Sequence, residues 1–121
     1  MSEVIREEDQ EYDVIDVEDL AGRVVKIGRA GEHQTQDVRI DASSMLDALP
    51  GAALQIAAVR PGERAVYLPE VTVADGVITW VITDTDTAKH GTGWAEVRAV
   101  LGEQVKKGPL FRTRVIYGLV E

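Results

Sequence analysis

The stretch VITWVITDTDTAKHGTGWAEVRAVL, residues 77–101, decides the fold. In its first part, Ile78, Trp80 and Ile82 recur at every second position. Its last part repeats this spacing in four residues: Ala95, Val97, Ala99 and Leu101. A period of two is typical of strands that bury one face. The sequence therefore predicts two strands, 77–83 and 94–101, joined by a polar crossing with little catalytic character.

Short strands and turns fill the chain on both sides of this stretch. Asp75-Gly76, just before it, is a strong signal for a hairpin turn. Apolar runs predict five further strands: residues 23–27, 35–41, 53–59, 65–68 and 110–120. About seven to nine short strands with a turn roughly every ten residues favour an all-β sandwich or barrel.

A single short helical turn interrupts the strands. Ser44, followed three residues later by Asp47, resembles a capping box, which places the start of a helix at Ser44. Pro50 and Gly51 end it. We expect one or two turns rather than a helix that defines the domain.

The composition sets further bounds. A chain of 121 residues favours a single domain. It contains no cysteine, which excludes disulfides and thiolate metal sites. No apolar run reaches the length needed to span a bilayer, and the amino terminus lacks the pattern of a secretory signal.

The net charge of −8 is concentrated at one end of the chain. Residues 1–20 contain nine acids and one base, whereas residues 21–121 contain twelve of each. We therefore expect an acidic arm, residues 1–20, and a neutral β domain, residues 21–121. Because phosphate binding needs clustered Lys and Arg, neither nucleic acid nor a membrane is expected as a partner.

The arm also carries apolar side chains, which a free tail does not need. We predict that residues 11–20 add to a sheet edge or lie across a neighbouring subunit. The apolar contacts would come from Tyr12, Val14, Ile15 and Val17. The carboxylates would pair with a basic cluster of Lys106, Lys107, Arg112 and Arg114. We expect a chain without residues 1–20 to remain folded.

Candidate catalytic and metal-binding motifs are incomplete. The segment that begins at Asp84 has Ala88 and Lys89 where a calcium loop needs a ligand and a glycine. His33 and His90 are too few for a zinc site, and both lie beside glycines in turns. The motif of a nucleophilic serine is absent. The sequence therefore predicts a non-enzymatic protein without metal or cofactor.

The two tryptophans have different expected positions. Trp80 alternates in phase with Ile78 and Ile82, which places it in the core. Trp94 lies opposite to the apolar face of its strand and is expected to be exposed or at an interface. Flat aromatic rings suit sugar stacking, so a carbohydrate- or surface-binding sandwich is the alternative interpretation.

The segment DGVITWVITDTDTAKHGTGWAEVRAVLGEQVKKGPLFRTRVI, residues 75–116, resembles the amino-terminal module of phage baseplate upper proteins, which occur in tail gene clusters of phages and prophages of Gram-positive bacteria. The matching features are the Asp-Gly hairpin, the strand that follows it, the step Asp86-Thr87-Ala88, Gly91 and Gly93, and two further strands. The likeness covers roughly residues 35–120.

The resemblance implies an immunoglobulin-like antiparallel β-sandwich that anchors a larger assembly. It implies a structural protein of the tail or baseplate, assembled in the host cytoplasm and acting through self-association and docking to other tail proteins. In the crossing, Asp86 is expected to accept amide hydrogen bonds at the start of the turn 87–89. Gly91 and Gly93 are expected to allow the backbone conformations that carry the chain between sheets.

Overall fold

The structure, a computed structural model, describes residues 14–117. The described chain contains ten strands, one α-helix and one 3₁₀ helix. The strands are β1 (Ile15–Asp16), β2 (Val24–Arg29), β3 (Asp37–Asp41), β4 (Ala53–Val59), β5 (Val66–Tyr67), β6 (Thr72–Ala74), β7 (Val77–Val81), β8 (Gly91–Leu101), β9 (Gln104–Lys107) and β10 (Phe111–Ile116). The 3₁₀ helix spans Val17–Leu20, and the α-helix, α1, spans Ser43–Ala48. No helix among these residues is long and apolar enough to cross a membrane.

The strands form two sheets that pack together. One sheet has four strands in the order β1-β3-β7-β6, and the other has the order β2-β10-β8-β4-β5, with β9 also paired to β8. The predicted all-β sandwich is thus confirmed. Its sheets are mixed and not wholly antiparallel as expected, because β1 pairs with β3 and β2 pairs with β10 in parallel, while the other pairs described are antiparallel.

The alternating residues of the opening stretch form the centre of the core. Trp80 is 1% exposed, and Ile78 and Ile82 are buried beside it. From the other sheet, Val97 and its neighbours on β8 face them. Leu101 departs from its predicted face, since it is 40% exposed where the β8–β9 hairpin extends past the core.

The crossing between β7 and β8 carries the chain from the four-stranded to the six-stranded sheet. Residues 75 and 76 form the tight turn between β6 and β7, and both have positive φ. This is the conformation that the Asp-Gly pair favours. β8 begins at Gly91 rather than at Trp94, because residues 91–93 pair with β10.

The start of α1 differs from the predicted capping box. Ser44 lies inside the helix, and the cap residue Ala42 makes no side-chain hydrogen bond. Instead, the Asp41 carboxylate accepts hydrogen bonds from the hydroxyl and the backbone N–H of Ser43. These two bonds, the hydroxyl first, lower the pKa of Asp41. A side chain at the end of β3 therefore takes the role expected of Ser44.

The last part of the acidic arm belongs to the sandwich. Ile15 and Asp16 pair with β3 at the edge of the four-stranded sheet, as edge addition predicts. Val17 and Leu20 are 1% and 0% exposed and lie in the core. The boundary expected at residue 20 thus falls within the packed domain.

Candidate partner-binding face

Asp86 is the centre of a buried hydrogen-bond network in the crossing. Its carboxylate accepts hydrogen bonds from the Tyr67 hydroxyl at 2.6 Å, from Trp80 Nε1 at 3.2 Å and from the Thr83 backbone N–H at 2.9 Å. The amide comes from Thr83, three residues earlier, and not from the turn 87–89 as predicted. Both carboxylate oxygens therefore hold the crossing against two strands, which is a structural role.

Tyr67 and Arg60 extend this network to the surface. Burial, and then the hydrogen bond to Asp86, raise the pKa of Tyr67. The Arg60 guanidinium lies 3.8 Å from the centre of the Tyr67 ring, and its Nε donates to the Thr85 carbonyl. The cleft beside Tyr67 is lined by strand and loop residues such as Val71 and Thr79. Its ionisable groups at Tyr67 and Asp86 are already paired with each other.

Gly91 and Gly93 lie in β8, so they are strand residues rather than turn residues. Gly91 has φ +129. A Cβ at Gly93 would collide with the Val59 carbonyl oxygen and would lie 2.8 Å from Thr113 Oγ1. Gly93 thus allows β4 and β10 to approach β8 closely from both sides.

Residues that could bind a metal do not converge in the described part of the chain. No group of three or more His, Cys, Asp or Glu side chains with metal-binding geometry occurs there. His33 Nδ1 accepts a hydrogen bond from the backbone N–H of Asp84 at 3.1 Å. This histidine therefore helps to hold the crossing in place.

The predicted arm contacts are divided between the core and the surface. Val17 is buried in its own domain and has no surface for a partner. Ile15 is half-buried beside Ile40, whereas Val14 is 45% exposed. Tyr12 lies outside the described residues.

The predicted basic cluster is also divided. Arg112 and Arg114 point outward from β10, since Phe111, Thr113 and Val115 between and beside them are buried. Lys107 pairs with the outward residue Arg98, but Lys106 pairs with buried Ala99 and so points to the opposite side of β9. Lys26 joins the outward group, because it lies opposite Arg114 in the parallel β2–β10 pair.

Apolar side chains share this outward surface. Trp94 is 41% exposed, and the Arg112 guanidinium lies 5.3 Å from the centre of its ring. Val24 lies opposite Arg112 on β2, and Val66 lies beyond Trp94 at the other edge. We call the outer surface of the six-stranded sheet the Trp94 face; its members are Val24, Lys26, Val66, Trp94, Lys107, Leu110, Arg112 and Arg114.

A shallow groove of about 250 Å³ crosses the Trp94 face. Trp94, Val66 and Leu110 line it together with Lys107. Arg98 also lines it and forms an ion pair with Glu96 at 2.7 Å. Glu96 lines the groove as well, so Lys107 is its one cation without an acidic partner among the described residues. Exposed apolar area beside this charge suits an apolar and acidic partner segment.

Sequence reasoning missed Val24 and Lys26 as members of this face. Both lie on β2, which joins the six-stranded sheet by pairing in parallel with β10, a strand almost ninety residues later in the chain. Their spacing shows that they alternate with buried Val25 and Ile27, but not which strand lies beside them.

Neither a family model nor a curated protein sequence matches this chain.

Proposed function

We propose that this chain is a non-enzymatic structural protein of a phage or prophage tail or baseplate. It self-associates and docks to other tail proteins, and the Trp94 face is the docking surface. The resemblance of residues 75–116 to baseplate upper proteins supports the assignment to a tail. The observation that carries the docking function is an exposed sheet surface on which a tryptophan, aliphatic side chains and cations lie together.

The exposed side chains on this surface favour a protein partner. Val24, Val66 and Leu110 are each about half exposed. Val66 and Leu110 line one groove with Trp94, and apolar area of this kind, bordered by charge, is typical of protein interaction sites. Aromatic and Arg side chains, here Trp94 and Arg112, are the residue types that contribute most to such interfaces.

The buried polar groups of the crossing support a structural protein. The Asp86 carboxylate accepts hydrogen bonds from Tyr67 and Thr83, and the Thr87 hydroxyl donates to backbone carbonyls. A general acid or base has to be free to exchange a proton with a substrate. These groups instead stabilise the connection between the two sheets.

The test is to look for the chain in purified phage particles by mass spectrometry and to locate it by immunogold labelling. We expect it in the tail, at the baseplate. The double variant Arg112→Glu/Arg114→Glu should no longer be incorporated. The control Lys89→Glu/Lys106→Glu changes charge equally but lies off the Trp94 face, and it should be incorporated normally. Absence of the wild-type chain from particles contradicts the proposal.

The second candidate is a carbohydrate- or surface-binding module, which the exposure of Trp94 beside Glu96, Arg98 and Arg112 favours. Such a module would be monomeric, and sugars would quench the Trp94 fluorescence. Trp94→Ala would abolish binding to a glycan array. A self-associating chain that binds no glycan excludes this candidate.

A further inference from the structure

The first thirteen residues are a strongly acidic segment with its own apolar side chains. They contain six acids and one base, for a side-chain charge of −5. Val4, Ile5 and Tyr12 are spaced along this segment between the acids. Fully extended, thirteen residues reach at most roughly 45 Å. The segment is therefore long enough to cross the face of a small domain.

The segment is joined in sequence to the edge of the four-stranded sheet. Ile15 and Asp16 are fixed there by their register with Ile40 and Asp41 at the sheet edge. Val17 anchors the next turn in the core. The Trp94 face is the outer surface of the other sheet, so the exit point and the Trp94 face lie on opposite layers of one sandwich.

The cations of the Trp94 face have no acidic partner within the described residues. Arg98, which lies beside this face, pairs with Glu96. No ion pair among residues 14–117 involves Lys26, Lys107 or the two arginines of β10. Four positive side chains thus lie on the strands to one side of β8, the strand that carries exposed Trp94. Their charge matches the acids of residues 1–13.

We propose that residues 1–13 of one copy bind the Trp94 face of a second copy. This inference rests on the proposed function, for which it names the partner. An acidic donor on one layer and a basic acceptor on the other produce a head-to-tail contact. Repetition of such a contact gives a ring, or a filament if the rotation does not close.

Apolar contacts carry most of the affinity. Exposed ion pairs contribute little in water, and salt screens them further. The side chains of Val4, Ile5 and Tyr12 would cover Trp94 and the groove, while the acids orient the segment along the cations. Raising the salt concentration should therefore weaken the association without abolishing it.

The experiment uses two full-length variants, each of which lacks one half of the contact. Val4→Ser/Ile5→Ser/Tyr12→Ser removes the donor, and Arg112→Glu/Arg114→Glu removes the acceptor. Light scattering should give a monomer for each variant alone. An equimolar mixture should form a dimer of twice the 13.2 kDa chain mass, since only one productive contact remains. Lys89→Glu/Lys106→Glu should assemble as the wild type does.

A labelled peptide of residues 1–13 provides the direct measurement. Its fluorescence anisotropy should rise on addition of the donor variant, whose Trp94 face is intact, and should not rise with the acceptor variant. A monomeric wild type, or a mixture that stays monomeric, overturns the proposal, and so does binding of the segment to its own domain. If particles nevertheless contain the chain, its place in the tail stands, and only self-association through this contact is wrong.

Discussion

At the scale of single residues, the fold depends on how Trp80 and Asp86 meet. A buried carboxylate is costly unless its oxygens are hydrogen-bonded, and Asp86 receives donors from a ring N–H, a phenol and an amide. Trp80 buries its ring among core residues and satisfies its N–H on Asp86. The network therefore fixes the crossing between the sheets directly to a core side chain.

Trp80→Ala should lower the free energy of unfolding by about 3–5 kcal/mol, because it removes a fully buried aromatic side chain. It also deprives Asp86 of a donor. Trp94→Ala, at a residue 41% exposed, should cost about 1 kcal/mol or less. Urea unfolding of both variants measures the difference. The reverse order would show that the buried and exposed faces of β7 and β8 are assigned incorrectly.

Tyr67 should make stability fall at alkaline pH. Its pKa in the folded chain is raised, by burial first and by Asp86 second, whereas in the unfolded chain it is near 10. Folding therefore favours the protonated phenol. This contribution is complete below about pH 10 and is lost as the pH rises above it.

The measurement compares wild type with Tyr67→Phe in urea between pH 8 and pH 11.5. Above about pH 10 the free energy of unfolding should fall more steeply in the wild type, because only the wild type must keep Tyr67 protonated. Tyr117→Phe is the control at an exposed tyrosine and should follow the wild type. Parallel curves for wild type and Tyr67→Phe would contradict this assignment.

At the scale of elements, β8 is the strand on which the six-stranded sheet is built. It pairs with β4 on one side and with both β10 and β9 on the other. Gly93 lies where β4 and β10 both approach, and its missing side chain allows the two pairings at once.

Gly93→Ala should cost about 3 kcal/mol, near the upper end of the range for overpacked positions. The new methyl group would collide with a backbone carbonyl, which cannot move without breaking the β4–β8 ladder. Thr92→Ala, the adjacent exposed position, should change stability by less than about 1 kcal/mol. Thermal unfolding followed by circular dichroism measures both. An equal effect at the two positions would show that the strands separate easily here.

The elements with clear alternation were predictable, whereas those defined by long-range contacts were not. Residues 53–59 form β4 as predicted, since the run is apolar and ends at a turn. β1 has only two residues, and the acidic residues around it give no strand pattern in the sequence. It forms a strand because the edge of β3 is open for pairing. The capping prediction at Ser44 was wrong because the helix start is held by Asp41, which lies outside the expected motif. Its carboxylate accepts hydrogen bonds from the backbone N–H and the hydroxyl of Ser43.

The candidate site was predictable in part for the same reason. The outward position of Trp94 follows from alternation along one strand, and the structure places it there. The basic cluster combined Lys106 and Lys107 because they are adjacent in sequence, yet adjacent strand residues point to opposite faces. Lys26 joins the cluster only through pairing with β10.

At the scale of the whole molecule, the buried apolar side chains of the two sheets form one continuous cluster. We expect that a chelator such as EDTA leaves the melting temperature unchanged. Calorimetric scans with and without added calcium provide the comparison. A fall of several degrees on chelation would reveal a structural ion.

The extent of the folding unit gives the last prediction. Because Val17 and Leu20 lie in the core and β1 closes an edge, the unit includes residues 14–20 and not only residues 21–121. Deleting residues 1–13, which leaves this unit whole, should change the free energy of unfolding by less than about 1 kcal/mol. Deleting residues 1–20 should remove at least about 4 kcal/mol, a large part of what a small domain has. This replaces the expectation that a chain without residues 1–20 remains folded.

Urea unfolding of the two truncated chains tests this boundary. The point variant Leu20→Ala keeps the chain full-length and should cost about 2–5 kcal/mol, so the test holds even if the shorter chain precipitates. Glu18→Ala, on the exposed side of the same 3₁₀ helix, is its control and should be nearly neutral. Equal stability of the two truncated chains would mean that residues 14–20 contact the domain without contributing to its stability. A loss confined to the longer deletion and to Leu20→Ala would show that the end of the acidic arm is part of the core.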